Sequence, residues 1–163
     1  MNKESNYQIR AAKFEDVPAL GELLRNSFLT TMSPIVPEAA NIAFSQMKEP
    51  ERFAKSCWQD FQVIASPGKI IGMLYVIKDK IESIHLQPME KRKGFGSLLL
   101  HEGETQILHQ GYDLAKLDVL THNDNAIAFY LSQGWHIDHQ FTGYEVGEVP
   151  VPMHQMQKKL REL

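Results

Sequence analysis

The sequence predicts a mixed α/β fold: one central sheet, antiparallel at first, with helices on both faces. Three observations carry that reading. Between Gln62 and Leu86, three apolar runs are joined by connections too short for anything but antiparallel neighbours. The run Ile81–Leu86 then leads through a basic glycine turn and a helical pattern to another apolar run, Leu117–Leu120. An intervening helix makes those two strands parallel. Helical periodicity also fills the chain ahead of the meander.

Taken in order, Tyr7–Ala12 alternates as a first strand, with Tyr7, Ile9 and Ala11 on one face. Val17, Leu20, Leu24 and Phe28 recur at helical spacing, and Leu23 widens the stripe. Glu15 and Asp16 suit a first turn, which also tolerates Pro18. Ser33-Pro34 and Pro37 break the chain. Ala39–Trp58 reads as one or two helices interrupted near Glu49-Pro50, and most of Phe44, Met47, Phe53 and Trp58 are assigned to the core. The meander strands are Gln62–Ala65, Ile70–Ile77 and Ile81–Leu86. Ser66-Pro67-Gly68-Lys69 and Asp79-Lys80 connect them, and Gly72 marks a bulge or a close approach. In the helix Gly96–His109, Leu100, Gly103 and Ile107 share a stripe. Gly103 lets that helix sit close to the sheet, and Gly111 is its C′ residue. Asn125–Ser132 is a short helix ending at Gly134. Trp135–Phe141 and Val151–Leu160 are two last strands, paired antiparallel across Gly143–Pro150.

A length of 163 residues predicts a single domain, 1–163, and the apolar content of 43% is enough for a real core. The net charge of −3 argues against a nucleic-acid face. A single cysteine, Cys57, excludes an internal disulfide, fits a reducing compartment and reads as a small buried hydrophobe. No stretch reaches the length of a membrane span and the first ten residues lack an apolar leader core, so a cytoplasmic protein with no membrane partner is expected. His101-Glu102 begins like H-E-x-x-H, but position 105 is threonine. His136 and His139, three apart on a strand, are expected on opposite faces. No metal is implied.

The chemistry concentrates in Leu86–Leu100, LQPMEKRKGFGSLLL. A helix N-terminus offers unpaired N–H groups and partial positive charge, a natural seat for phosphate. Gly94 and Gly96 allow close approach of the backbone, while Lys91, Arg92 and Lys93 add charge. The dinucleotide fingerprint and the G-x-x-x-x-G-K-[ST] loop are both absent. About thirty residues downstream lies NDNAIAFYLSQGW, from Asn123 to Trp135.

The pattern N-x-x-A-x-x-F-Y-x-x-x-G-[FW] resembles motif B of the GNAT superfamily of N-acetyltransferases. KRKGFG resembles that family's motif A, [QR]-x-x-G-x-[GA], which holds the coenzyme A pyrophosphate. Lys91 departs from the usual Gln or Arg, keeping the charge but losing the planar fork. The resemblance implies a GNAT-like acyl-CoA N-acyltransferase fold in which the strands before the two motifs splay apart around the pantetheine arm. It implies backbone contacts at His85 and Leu86. Lys91, Arg92, Lys93, Gly94, Phe95, Gly96 and Ser97 would surround the pyrophosphate, Asn123 would contact the cofactor, and Tyr130 would face the thioester sulfur. Acetyl-CoA is the implied co-substrate, and an amine of unknown identity the acceptor. Dimerisation is common in the family.

The implied reaction is direct attack of a primary amine on the thioester. An amine of pKa near 10.4 is neutral in only about 1 part in 2,500 at pH 7, a penalty of roughly 4.6 kcal/mol, so a proton acceptor is useful. Glu82, on the strand entering motif A, is the candidate base. Simple alternation would put it on one face with Ile84 and Leu86, with His85 turned away. Its competing reading is a solvated carboxylate or the partner of a lysine. Tyr130 is the candidate acid, able to hydrogen-bond or protonate a leaving thiolate. A backbone N–H at Leu86 would polarise the thioester carbonyl, and His122, beside Asn123, could assist with protons. The alternative from another class is an acyl-CoA-binding sensor without turnover, which would have no need to retain Tyr130 and Glu82.

Overall fold

The computed structural model describes residues 6–146 and 148–161. In chain order the elements are β1 (Gln8–Ala11), α1 (Val17–Ser27), α2 (Glu38–Met47), α3 (Glu49–Cys57), β2 (Phe61–Ser66), β3 (Lys69–Ile77), β4 (Lys80–Leu86), α4 (Phe95–His109), β5 (Leu114–Leu120), α5 (Asp124–Ser132), β6 (His136–Val146) and β7 (Val149–Lys159). The strands form one seven-stranded sheet in the order β1-β2-β3-β4-β5-β7-β6. β1 to β4 are an antiparallel meander, β4 and β5 are parallel, and β7 pairs antiparallel with both β5 and β6.

Helices cover both faces. On one, Leu20, Leu23 and Leu24 of α1 and Ala54 of α3 pack on Phe61, Val63 and Met73. On the other, Leu99, Leu100 and Ile107 of α4 pack on Leu74, Ile81 and Leu117, with Ile127 and Tyr130 of α5 joining the same cluster. Gly103 lets α4 approach as its position suggests: a Cβ there would lie 3.0 Å from Ile81 Cδ1. A bidentate Arg10–Asp16 pair, 2.7 and 3.0 Å, ties β1 to the start of α1. Past Ser27, α1 widens into a π turn over Phe28–Met32, where the Thr31 hydroxyl donates to the Ser27 carbonyl. Cys57 is half-buried in the α1–α3 cluster. Among the described residues no helix is long and apolar enough to cross a membrane, and no three His, Cys, Asp or Glu side chains gather as a metal ligand set.

Several local expectations shift. Ala11 is exposed, and Ala12 turns inward in its place. The β3–β4 connection is Lys78-Asp79, one residue earlier than the sequence suggests, with Lys78 at φ 54°. The last two strands run on into Gly143–Pro150 rather than stopping before it. Two bulges matter more. In β6, Asp138 is an extra residue between Ile137 and His139, so His136 faces Gln157 and His139 faces Gln155. Those partners are two apart, which places both histidines on one face and corrects the expectation from alternation. In β4, Val76 pairs with Ile81 and Tyr75 with Ser83, leaving Glu82 as the extra residue. Ile81 therefore shares a face with Ile84 and Leu86, and Glu82 does not.

Gly72 sits where β3 presses on β4. An added Cβ would lie 2.7 Å from the His85 carbonyl oxygen and 2.6 Å from Leu86 Cδ2. The backbone contact cannot be relieved by a rotamer change. Gly72→Ala should cost about 1–3 kcal/mol and lower Tm by several degrees. An unchanged Tm by circular dichroism would show that β3 and β4 can move apart there.

Candidate active site

The site begins where β4 and β5 separate. Their pairing is confined to Lys80↔Lys116 and Ile81↔Leu117. Beyond it the two strands run unpaired with each other, and the direction of the β4 backbone then decides what the gap offers. Gln87 N–H donates to the Ile71 carbonyl at 2.8 Å, one step outside the Gly72↔Leu86 pair. In an antiparallel ladder that makes Gly72↔Leu86 a non-hydrogen-bonded pair. The N–H and C=O of Leu86 therefore turn away from β3 and towards the gap, and those of Ile84 do likewise. By the same parity, the His85 backbone belongs to the β3 ladder, so the expected backbone contact moves from His85 to Ile84 and Leu86. What His85 brings to the site is its side chain.

That side chain lies on the α1 face. His85 Nδ1 is 2.8 Å from the Ser27 hydroxyl, and Ser27 is only 4% exposed. Burial first, and then the Lys91 ammonium, push the imidazole down to about 4, so it is neutral at physiological pH. Sequence reading missed this pair: the two residues are 58 apart and neither belongs to a motif. The bulge carries Glu82 to this face as well. Its carboxylate lies 3.6 Å from Lys80, whose ammonium also pairs with Asp118 at 2.6 Å. Lys80 and Asp118 alternate with the buried Ile81 and Leu117, so all three charges occupy the α1 face at the point where the strands part. Glu82 thus has the lysine partner of its competing reading.

The basic glycine turn, the candidate anion loop, ends the gap. Gly94, at φ 88°, precedes α4, and no side chain caps the helix start. The first internal bond runs from Leu98 N–H to the Gly94 carbonyl, which leaves the N–H groups of Phe95, Gly96 and Ser97 without helical partners. Lys91 and Arg92 are exposed beside them, with Arg92 held at φ 62°, a left-handed conformation rare for a bulky residue. Lys93 is committed elsewhere. It pairs at 3.1 Å with Glu90, which also pairs with Lys69 at the start of β3. Glu90 is 7% exposed, and these two lysines, Lys69 foremost, hold its carboxyl below the usual range. The Phe95 ring packs edge-on against Tyr7 at 5.3 Å, so only its backbone faces the loop. A Cβ on Gly96 would lie 3.4 Å from the Phe129 ring, which brings α5 against the start of α4.

On α5, Asn123 is the N-cap: its Oδ1 accepts from Ala126 N–H at 3.3 Å, leaving its amide donors for a ligand. Tyr130 is partly buried between Phe129 and Trp135, with centroids 5.4 and 6.3 Å away. Burial pushes its phenol up to about 12, so it stays protonated. His122 is exposed and borders a cleft of about 300 Å³ between the α1–α2 connection and the start of β7.

The partly buried imidazole has a pH signature. Its value is near 4 in the folded chain against 6.5 in the unfolded one. A depressed value of this kind contributes stability that is complete above pH 6.5 and lost as the pH falls from 6.5 to 4, up to about 3 kcal/mol. His85→Gln should therefore flatten the loss of stability between pH 7 and 4 in urea titrations. Equal slopes for the two proteins would mean that the folded imidazole ionises freely.

Comparison with known proteins agrees with this geometry. A sequence model of the acetyltransferase (GNAT) family matches residues 22–135. The uncharacterized protein YdhI of Bacillus subtilis is 38% identical over 77 residues, which are 46% of this chain and 48% of that protein; the match spans about half the length of this curated relative. A GCN5-related N-acetyltransferase structure from Rhodopseudomonas palustris superposes with a TM-score of 0.81 at 17% identity, covering 96% of this chain and 97% of the other. The PaiA N-acetyltransferase of Thermoplasma acidophilum, solved with coenzyme A, gives 0.69 at 23% identity, covering 94% and 98%. YncA of Salmonella typhimurium, solved with acetyl-CoA, gives 0.69 at 19%, covering 98% and 96%. The family match takes in more than half of the chain, including the parting strands, the anion loop and Tyr130, and the chain belongs to the acetyltransferase (GNAT) family.

Proposed function

We propose that this chain is an acetyl-CoA-dependent N-acetyltransferase that transfers an acetyl group to a primary amine by direct attack in a ternary complex. One observation carries the reading: an unpaired strand edge at Ile84 and Leu86 that leads to an uncapped helix start. An extended chain of amides ending in a pyrophosphate fits those donors. Ile84 and Leu86 would pair with the amides. The N–H groups of Phe95, Gly96 and Ser97, with Lys91 and Arg92, would hold the pyrophosphate, while Gly94 makes the turn and Asn123 adds amide donors. The relatives solved with coenzyme A or acetyl-CoA support the same assignment.

Bound acetyl-CoA supplies an acetyl thioester. Leu86 N–H donates to its carbonyl oxygen, a bond that strengthens as negative charge develops there. Tyr130 O–H donates to the departing sulfur. A phenol near 12 is a weaker acid than an alkyl thiol near 8.5, so Tyr130 acts first as a hydrogen-bond donor that stabilises the thiolate. Two groups on the α1 face can take the amine's proton, each through water. Glu82 is one, but its carboxylate is engaged with Lys80. The neutral His85 is the other, aligned through Nδ1 by Ser27 with Nε2 left to accept.

Thiol release from acetyl-CoA with a panel of amines, run beside calorimetry of acetyl-CoA binding, tests the proposal. Binding with turnover supports it, and binding without turnover favours an acyl-CoA sensor. No binding would sink both. Gly96→Glu sets an anion in the proposed pyrophosphate seat and should weaken acetyl-CoA binding at least tenfold with the fold intact. Unchanged affinity would remove the seat from Gly96. Tyr130→Phe should lower kcat by roughly tenfold to a hundredfold with near-normal cofactor affinity. Full activity would leave Tyr130 as a packing residue.

A further inference from the structure

The acceptor is the part of the reaction that no motif identifies, and the cleft beside Leu120 carries the chemistry to narrow it. This inference rests on the N-acetyltransferase reading above. The cleft, about 300 Å³, lies at the small end of the range for small-molecule sites. Ile35 and Val36, between Pro34 and Pro37, form one wall, and Leu120 and Val151 form the other. Among the described residues no Asp, Glu, Lys or Arg lines it, and His122 is its one titratable group. Glu38 follows directly on Pro37 but is exposed and takes no part in the lining.

The walls are fixed before any ligand arrives. Ile35 and Val36 N–H both donate to the Met32 carbonyl, at 2.9 and 3.1 Å. Asn41 Nδ2 donates to the Ser33 carbonyl at 3.0 Å. Across the cleft, Thr121 N–H and hydroxyl both donate to the Pro152 carbonyl at 3.1 Å. Pro34 and Pro37 lock their own φ angles. A preformed cleft walled by the Ile35, Val36, Leu120 and Val151 side chains gains affinity from an apolar body with little cost of ordering.

One residue, Leu120, relates the cleft to the reaction gap. Leu120 ends β5, the strand that bounds the gap, and packs with Val151, Met153, Ile35 and Val36. Leu120 alternates with the buried Leu117 and Val119, so it lies on the α1 face, the side that holds His85 and Glu82. An acceptor with its nitrogen beside Leu86 would therefore rest its body in this cleft. Among the described residues that line the cleft, a carboxylate on that body would find no cation and a second ammonium no carboxylate, and the Glu82 and Asp118 carboxylates nearer the gap are already engaged with Lys80; burying either charge unpaired is costly.

We propose that the acceptor is a small monoamine with an apolar body, an alkylamine or arylalkylamine, rather than an amino acid, a polyamine or an aminoglycoside. The test is thiol release from acetyl-CoA with n-alkylamines from ethylamine to hexylamine, phenethylamine, 1,5-diaminopentane and free amino acids. The expected result is a kcat/KM that rises roughly threefold to fourfold per methylene until the cleft is full. The diamine should be at least tenfold poorer than pentylamine. A diamine or amino acid used as well as the length-matched monoamine overturns the proposal and leaves the acetyltransferase reading standing. Methyl NMR of Ile35, Val36 and Val151 with added phenethylamine supplies a readout independent of turnover. Shifts without any turnover keep the cleft assignment and count against the enzyme reading. Unshifted methyls overturn the cleft assignment whatever the kinetics.

Discussion

Beyond Ile81 and Leu117, the backbone of β4 has no strand beside it on the β5 side, and the groups of Ile84 and Leu86 that point there need partners. A buried N–H or C=O without a hydrogen bond costs free energy comparable to the bond itself. Sheets ordinarily avoid that cost by staying paired. Here two residues on each strand hold the halves together, and α4 carries the chain from one half to the other. The gap therefore offers backbone donors and acceptors to an extended partner, set by the strand rather than by any side chain.

The surrounding elements are arranged to keep that gap open and furnished. α4 buries Leu99 and Leu100 and presses close through Gly103, which fixes where its unpaired N–H groups lie. α5 reaches the same place through Phe129 against Gly96, and so brings Tyr130 with it. On the opposite face, α1 ends at Ser27 and holds the His85 ring. Each chemical group is thus set by packing that would be needed for the fold in any case, and precision at the site comes from the core.

Much of this was legible in the sequence. Apolar periodicity located nearly every element to within a few residues, and the order strand, glycine turn, helix, strand dictated the parallel pairing of β4 and β5. Gly94 and Gly103 announced their roles because only a backbone requirement explains them. The side-chain geometry was less visible. The bulges at Glu82 and Asp138 leave no local mark, because register is decided by what the neighbouring strand and the covering helices accept, and one extra residue reverses every face assignment nearby. The Ser27–His85 contact joins distant parts of the chain and exists only once α1 has docked. Lys93 reads in the sequence as one of three loop cations, because nothing local marks Glu90, three residues earlier, as buried.

Glu90 changes how the anion loop meets a ligand from afar. The buried Glu90 carboxylate cancels one of the two positive charges on Lys69 and Lys93, so the trio adds a single net positive charge to the field around the loop. Lys91 and Arg92 supply most of the unpaired charge, and the Glu90–Lys69 contact fastens the loop to the start of β3. The loop proposed to receive the anion is in this way mechanically part of the antiparallel half of the sheet. Any widening or narrowing of the gap would carry the proposed phosphate seat with β3 and β4 and leave β5 behind.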